Sequence, residues 1–301
     1  MKWFAPDYYP RFSCIADRCR HSCCIGWEID IDEDTLEKYR AVSDPFGKRL
    51  RDGIVTEDGI SHFRLCENER CPFLNEKGLC DIILTLGEDY LSQICTDHPR
   101  FCSFFSDRTE IGLGLCCEEA ARMILSQKDK TKLILLEDDG EDECCTEEED
   151  SLLTLRETLI SIAQNREKKL NDRIDELLDV LGTRLPEKSF SAWVDLYLSL
   201  ERMDEAWTAL LEKAKKAPMK PRLQMDETAE EQLLVYFLYR HFSSAELPAK
   251  AAAFAVLSVK MIAFLCGATE ADEEKMIEIC RLYSSEIEYS EENTNLLMKI
   301  L

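Results

Sequence analysis

The sequence has little positive charge for its length. Among 301 residues, 37 lysines and arginines are outnumbered by 60 aspartates and glutamates, and the formal net charge at pH 7 is −23. Binding to a nucleic-acid backbone or to an anionic membrane surface requires an excess of positive charge, so we expect neither as a partner. A lysine-bearing protein surface is compatible with this charge.

The chain also lacks a secretory signal and a long uncharged apolar run. The N-terminal MKWFAPDYYPRF contains prolines and an aspartate where a signal peptide is apolar. The most apolar run, residues 251–266, includes Lys260, whereas a membrane-spanning helix needs about 20 apolar residues. We therefore predict a cytoplasmic protein in which this run is a buried helix. In a reducing cytoplasm, the 15 cysteines are not expected to form a disulfide framework.

Cysteines are concentrated near the N-terminus, where eleven lie between Cys14 and Cys117. The stretch CIADRCRHSCCIGW holds four of them and ends with the adjacent pair Cys23 and Cys24. Short spacings let two thiolates converge on one metal, and ligation by thiols alone favours zinc or an iron–sulfur cluster. Adjacent side chains point about 100° apart on a helix or to opposite faces of a strand. Either one of the pair binds metal, or the centre is polynuclear.

The residue pattern predicts a mainly α fold in three parts. Residues 1–127 carry turn signals such as Asp58-Gly59 between β-prone runs, which indicates a cysteine-rich, metal-stabilised domain with short β-hairpins. Residues 128–150 include ten acids and no base between positions 137 and 150, which indicates an acidic linker. Residues 151–301 place apolar residues at intervals of three and four, as in an α-helical domain. We expect Tyr236, Phe237 and Tyr239 in its core.

Several known site patterns are not matched. A radical-SAM loop C-x3-C-x2-C that began at Cys19 would need a cysteine at position 26, which is Gly26. A ferredoxin C-x2-C-x2-C run does not occur. No predicted strand is followed by a glycine-rich turn and an acidic residue, so a Rossmann-like nucleotide site is not indicated.

Four ordered motifs within residues 10–127 together resemble the flagellin lysine-N-methylase family, which is related to a wider group of CxxCxxCC cysteine-cluster proteins. The motifs are CIADRCRHSCCIGWEIDID, CPFLNEKGLCDI, LGEDYLSQICTDHPRF and LCCEEAARMIL. The resemblance implies eight metal ligands, which are Cys14, Cys19, Cys23, Cys24, Cys71, Cys80, Cys95 and Cys117. Cys66, Cys102 and Cys116 lie outside the recognised pattern, and Glu118 replaces the family's proline.

The resemblance further implies a function. It implies a methyltransferase that transfers a methyl group from S-adenosylmethionine to lysine side chains of flagellin. The implied metal centre is an iron–sulfur cluster of the 4Fe–4S type, with zinc as the alternative metal. A different interpretation is a non-enzymatic iron–sulfur or zinc module for electron transfer or protein interaction. The sequence identifies neither the catalytic residues nor the donor-binding residues. The resemblance also indicates a chain shorter at its C-terminal end than is usual for the family.

Overall fold

A computed structural model of the chain describes residues 1–140, 144–217, 225–242 and 247–301. These residues contain six strands. In chain order they are β1 (Lys2–Pro6), β2 (Ile54–Glu57), β3 (Ile60–Phe63), β4 (Arg100–Phe104), β5 (Arg108–Leu113) and β6 (Leu133–Asp138). One sheet has the strand order β4-β5-β1-β6, and β2 and β3 form a separate hairpin. In the larger sheet β1 runs parallel to β5 and antiparallel to β6.

Helices make up most of the described structure, which confirms the mainly α prediction. In chain order they are α1 (Glu33–Ala41), α2 (Pro45–Asp52), α3 (Asp81–Leu86), α4 (Gln93–Asp97), α5 (Glu118–Ser126), α6 (Glu147–Ala163), α7 (Leu170–Val180), α8 (Phe190–Ser199), α9 (Glu205–Lys215), α10 (Glu227–Phe242), α11 (Pro248–Thr269), α12 (Glu273–Tyr283) and α13 (Glu291–Ile300). A π-helical turn, Ser284–Glu288, directly follows α12.

The chain divides into two compact units. One is Ser13–Arg100, and the other combines Met1–Phe12 with Phe101–Leu301. This division differs from the predicted boundary at residue 127 because β1 forms hydrogen bonds with β5 and β6, which joins the first residues to the later part of the chain.

The predicted acidic linker is largely built into regular structure. The apolar run before its acids forms β6, which pairs with β1. Its last four acids form the first turn of α6, where negative charge interacts favourably with the positive helix end. Thr146 and Glu149 form a capping box there. Residues 141–143 of the predicted linker lie outside the described residues.

Local residue types account for two features of the smaller unit, Ser13–Arg100, and one of them, the β2–β3 hairpin, confirms a prediction. The Asp32 side chain accepts a hydrogen bond from the backbone N–H of Thr35 at 2.9 Å and so caps α1. Asp58 and Gly59 have φ angles of +51° and +87°, and they form the turn of the predicted β2–β3 hairpin. Buried aromatic residues, including Tyr39, form the centre of this unit's core.

The larger unit has an extensive helical core. Helix α11 is long and apolar enough to cross a membrane by length and composition, but 89% of its most apolar window is buried inside the protein. The prediction of a buried helix at residues 251–266 is therefore confirmed. Tyr236, Phe237 and Tyr239 of α10 are also buried, as expected.

Candidate metal centre

The first cysteine-rich loop is held in place by backbone hydrogen bonds to residues 69–71. The N–H of Cys71 donates to the carbonyl of Cys24 at 2.8 Å, and the N–H of Gly26 donates to the carbonyl of Glu69 at 3.1 Å. Gly26 has a φ of +92°, a backbone conformation that favours glycine. Trp27 donates from Nε1 to the carbonyl of Cys23 at 2.7 Å. The loop thus brings Cys24 next to Cys71, which lies 47 positions further along the chain.

A second loop closes between Cys71 and Cys80. An isolated β-bridge pairs Leu74 with Cys80. The N–H of Asp81 donates to the carbonyl of Phe73 at 2.8 Å, and Gly78 supplies the turn with a φ of +74°. Cys80 therefore lies at the start of α3 and pairs with Leu74, three residues after Cys71.

Thiols from four segments of this unit lie close enough to affect one another's ionisation. We call them the thiol cluster, which consists of Cys14, Cys23, Cys24, Cys71, Cys80 and Cys95. Burial, together with a smaller effect of neighbouring thiolates, raises the pKa of Cys71 to about 12 and that of Cys95 to about 11. Burial also raises the pKa of Cys80. The Cys71 and Cys95 thiols are thus mostly protonated at neutral pH.

The adjacent pair Cys23 and Cys24 is asymmetric. A hydrogen bond between the two side chains raises the pKa of Cys23 and lowers that of Cys24 to about 7. Burial opposes the lowering at Cys24, while the Ser22 hydroxyl and the Arg70 guanidinium add to it. One thiol is therefore the hydrogen-bond donor and the other the acceptor, so the two members of the pair have different roles.

The remaining predicted ligands are placed differently. The Cys19 thiol donates a hydrogen bond to the carbonyl of His21 at 3.1 Å. Cys117 precedes α5 and belongs to the other compact unit. Across the described ranges, no three or more histidine, cysteine, aspartate and glutamate side chains are arranged as a group that could hold a metal ion. The metal site and its eight ligands therefore stay predictions.

None of the 15 cysteines forms a disulfide, and all of them lie within the described residues. Cys66 and Cys102 are exposed. Cys116 is part-buried, and burial raises its pKa to about 11.

The sequence assigned no role to Tyr39, which lies beside the thiol cluster, or to His98. Tyr39 is buried, and its pKa is raised by burial and by the neighbouring thiolates of Cys95, Cys80 and Cys71. Burial, together with Arg100, lowers the pKa of His98 to about 4, so its imidazole is neutral at pH 7. From the sequence, Tyr39 is indistinguishable from any other core residue of α1. Its thiol neighbours come from distant segments and are evident only in the folded structure.

Comparisons with known proteins give a consistent result. The family model of the FliB lysine N-methylase C-terminal domain matches residues 111–301. Lysine-N-methylases of Salmonella typhimurium and Salmonella choleraesuis are each 32% identical over 130 residues, which is 41% of this chain and 32% of theirs. The flagellar biosynthetic protein FliU of Salmonella muenchen is 32% identical over 130 residues, which is 77% of that protein. The match thus spans about a third of the length of the two lysine-N-methylases. No solved structure matches the chain.

Proposed function

The chain belongs to the FliB lysine N-methylase family, and from that premise we propose that it methylates lysine side chains of flagellin, with S-adenosylmethionine as the methyl donor. The match of the family model over residues 111–301 carries this proposal. The names of the relatives support it, since two are lysine-N-methylases and the third is a flagellar biosynthetic protein.

The proposal includes an iron–sulfur centre, of the 4Fe–4S type, held by the thiol cluster. Cys24, Cys71, Cys80 and Cys95 are the ligands best supported, because Cys24 affects the ionisation of the other three and Cys80 affects that of Cys71 and Cys95. Thiolate donors suit iron–sulfur clusters and zinc, and a bound cation would relieve the repulsion between neighbouring thiolates. Metal binding deprotonates its thiol ligands, so it would release protons and should strengthen as the pH rises. When bound, an iron–sulfur cluster supplies a redox-active centre.

The reaction places two demands on the protein. S-adenosylmethionine supplies an electrophilic methyl group, and the lysine nitrogen must offer it a lone pair. The free lysine side chain has a pKa of about 10.4, so the protein must desolvate the ammonium or accept its proton. The net charge of −23 favours the first encounter with a lysine-bearing surface, because opposite charges attract over the distance of a screening length.

The proposed activity is tested by methyl transfer from radiolabelled S-adenosylmethionine to purified flagellin. The protein is purified and reconstituted with iron and sulfide under anaerobic conditions, and a second sample is loaded with zinc. We expect label in flagellin and none in flagellin whose lysines have been chemically blocked. Bound metal without any transfer would contradict the proposed activity and favour the non-enzymatic module.

A further inference from the structure

A cavity of about 400 Å³ lies within the unit that combines Met1–Phe12 and Phe101–Leu301. Its inner wall includes Tyr8, Tyr236 and Tyr239, which are at most 4% exposed. Lys130 and Glu157 also line it, and both are exposed, so they mark its opening. Cavities of this size bind small molecules of nucleoside size or larger.

One buried group in the wall lacks a hydrogen-bond partner. The Gln164 side chain lines the cavity and is 7% exposed. Its Nε2 donates to the carbonyl of Thr131 at 3.1 Å, which fixes the orientation of the amide. Its Oε1 is buried and accepts no hydrogen bond from the described part of the chain. Because a buried acceptor without a donor is unfavourable, a bound molecule that donates to Oε1 would satisfy it.

The neighbouring amide shows the contrast. Gln232 also lines the cavity and is 2% exposed, but both ends of its amide are paired. Its Nε2 donates to the carbonyl of Asp129 at 2.8 Å, and its Oε1 accepts from the hydroxyl of Thr131 at 2.7 Å. Of the two amide side chains that line the cavity, Gln164 is thus the one with an unsatisfied acceptor.

We infer that this cavity binds the methyl donor, an adenosyl amino acid; the inference rests on the proposed function, which supplies the donor's identity. Tyrosine rings offer apolar faces to a heteroaromatic base. The Gln164 Oε1 suits the N–H of an exocyclic amine. Lys130 and Glu157 at the opening match the carboxylate and ammonium of an amino-acid group.

The charges at the opening argue against a nucleoside triphosphate. Lys130 is the single cation among the described residues that line the cavity. A triphosphate carries several negative charges, and the protein as a whole is strongly acidic. A zwitterionic amino-acid group, by contrast, needs one cation and one anion, which Lys130 and Glu157 provide.

The test measures binding of S-adenosylhomocysteine and of adenosine to the full chain by isothermal titration calorimetry. Gln164→Leu should weaken both ligands about tenfold, because the acceptor for the base is removed. Lys130→Glu should weaken S-adenosylhomocysteine about tenfold and leave adenosine unchanged, because adenosine has no carboxylate. Lys132→Glu is the matched control, since Lys132 is exposed but does not line the cavity.

Each outcome decides the assignment. The assignment is supported if Gln164→Leu weakens both ligands, Lys130→Glu weakens S-adenosylhomocysteine alone and Lys132→Glu changes neither. Unchanged binding in both variants overturns it, and so does the absence of S-adenosylhomocysteine binding to the wild-type protein. Circular dichroism checks that Gln164→Leu folds, and the exposed Lys130 provides a variant that leaves the core intact.

Methyl transfer to flagellin is measured in parallel. Transfer by the wild-type protein together with unaltered binding in both variants overturns the cavity assignment alone. Gln164-dependent binding without any transfer supports the cavity assignment and contradicts the proposed function.

Discussion

Replacement of Arg156 by methionine should strongly destabilise the larger unit. Arg156 of α6 and Glu110 of β5 are each 1% exposed, and they form two contacts of 2.7 Å, Nη1 to Oε2 and Nη2 to Oε1. Loss of the guanidinium leaves the carboxylate buried without its counter-ion, which costs about 3–5 kcal/mol. For a unit of this size, each kcal/mol lowers Tm by about 2–4 °C, so we expect a fall of about 6–20 °C.

The assay is thermal unfolding followed by circular dichroism and calorimetry. Glu110→Leu should be comparably destabilising, and the double variant should lose less than the sum of the two single variants, because no charge is then left unpaired. Arg184→Met is the matched control, since Arg184 pairs with Asp179 at an exposed site. Strict additivity, or a loss below about 1 kcal/mol for Arg156→Met, would refute the reasoning.

Three further predictions concern other parts of the chain. Burial would raise the pKa of Glu288, but Arg240 and the hydrogen-bonded His241 together outweigh it and lower this pKa to about 2. Stability should therefore fall as the pH drops from 4.5 to 2, and Glu288→Gln should remove about 3 kcal/mol of this pH dependence in acid titrations. Cys24→Ser should lose most bound metal after reconstitution, and the exposed Cys144→Ser should retain it, as measured by mass spectrometry of metals. Asp32→Ala should cost about 1–2 kcal/mol in urea unfolding, because its side chain accepts backbone N–H bonds from two segments; an unchanged midpoint would exclude that role.

Features that depend only on residues adjacent in the sequence were predictable from it. The cap at Asp32, the turn at Asp58-Gly59 and the buried helix α11 all follow from local residue types. Strand β6 was not predicted because many acids follow its short apolar run, which made the segment resemble a linker. Its partner β1 lies about 130 residues earlier in the chain. Pairing between distant strands has no local signature.

The candidate sites show the same limit. Cysteine spacing indicated a thiol-rich site, but the contact between Cys24 and Cys71 depends on a backbone pairing across two loops. The quoted motifs lie within residues 10–127, whereas the family model matches residues 111–301. Beyond residue 127 the sequence showed helical periodicity and no recognisable functional motif. The cavity is lined by residues from Pro6 to Tyr239, so only the fold brings Gln164 together with the tyrosines.

The most direct test of the central claim is the methylation state of flagellin lysines in the organism that makes this protein. Peptide mass spectrometry would compare flagellin from cells that produce the wild-type chain, the Cys24→Ser variant or no chain at all. The account predicts N-methyl-lysine in the first sample and its loss in the other two. Equal methylation in all three samples, or none in any, would contradict the account.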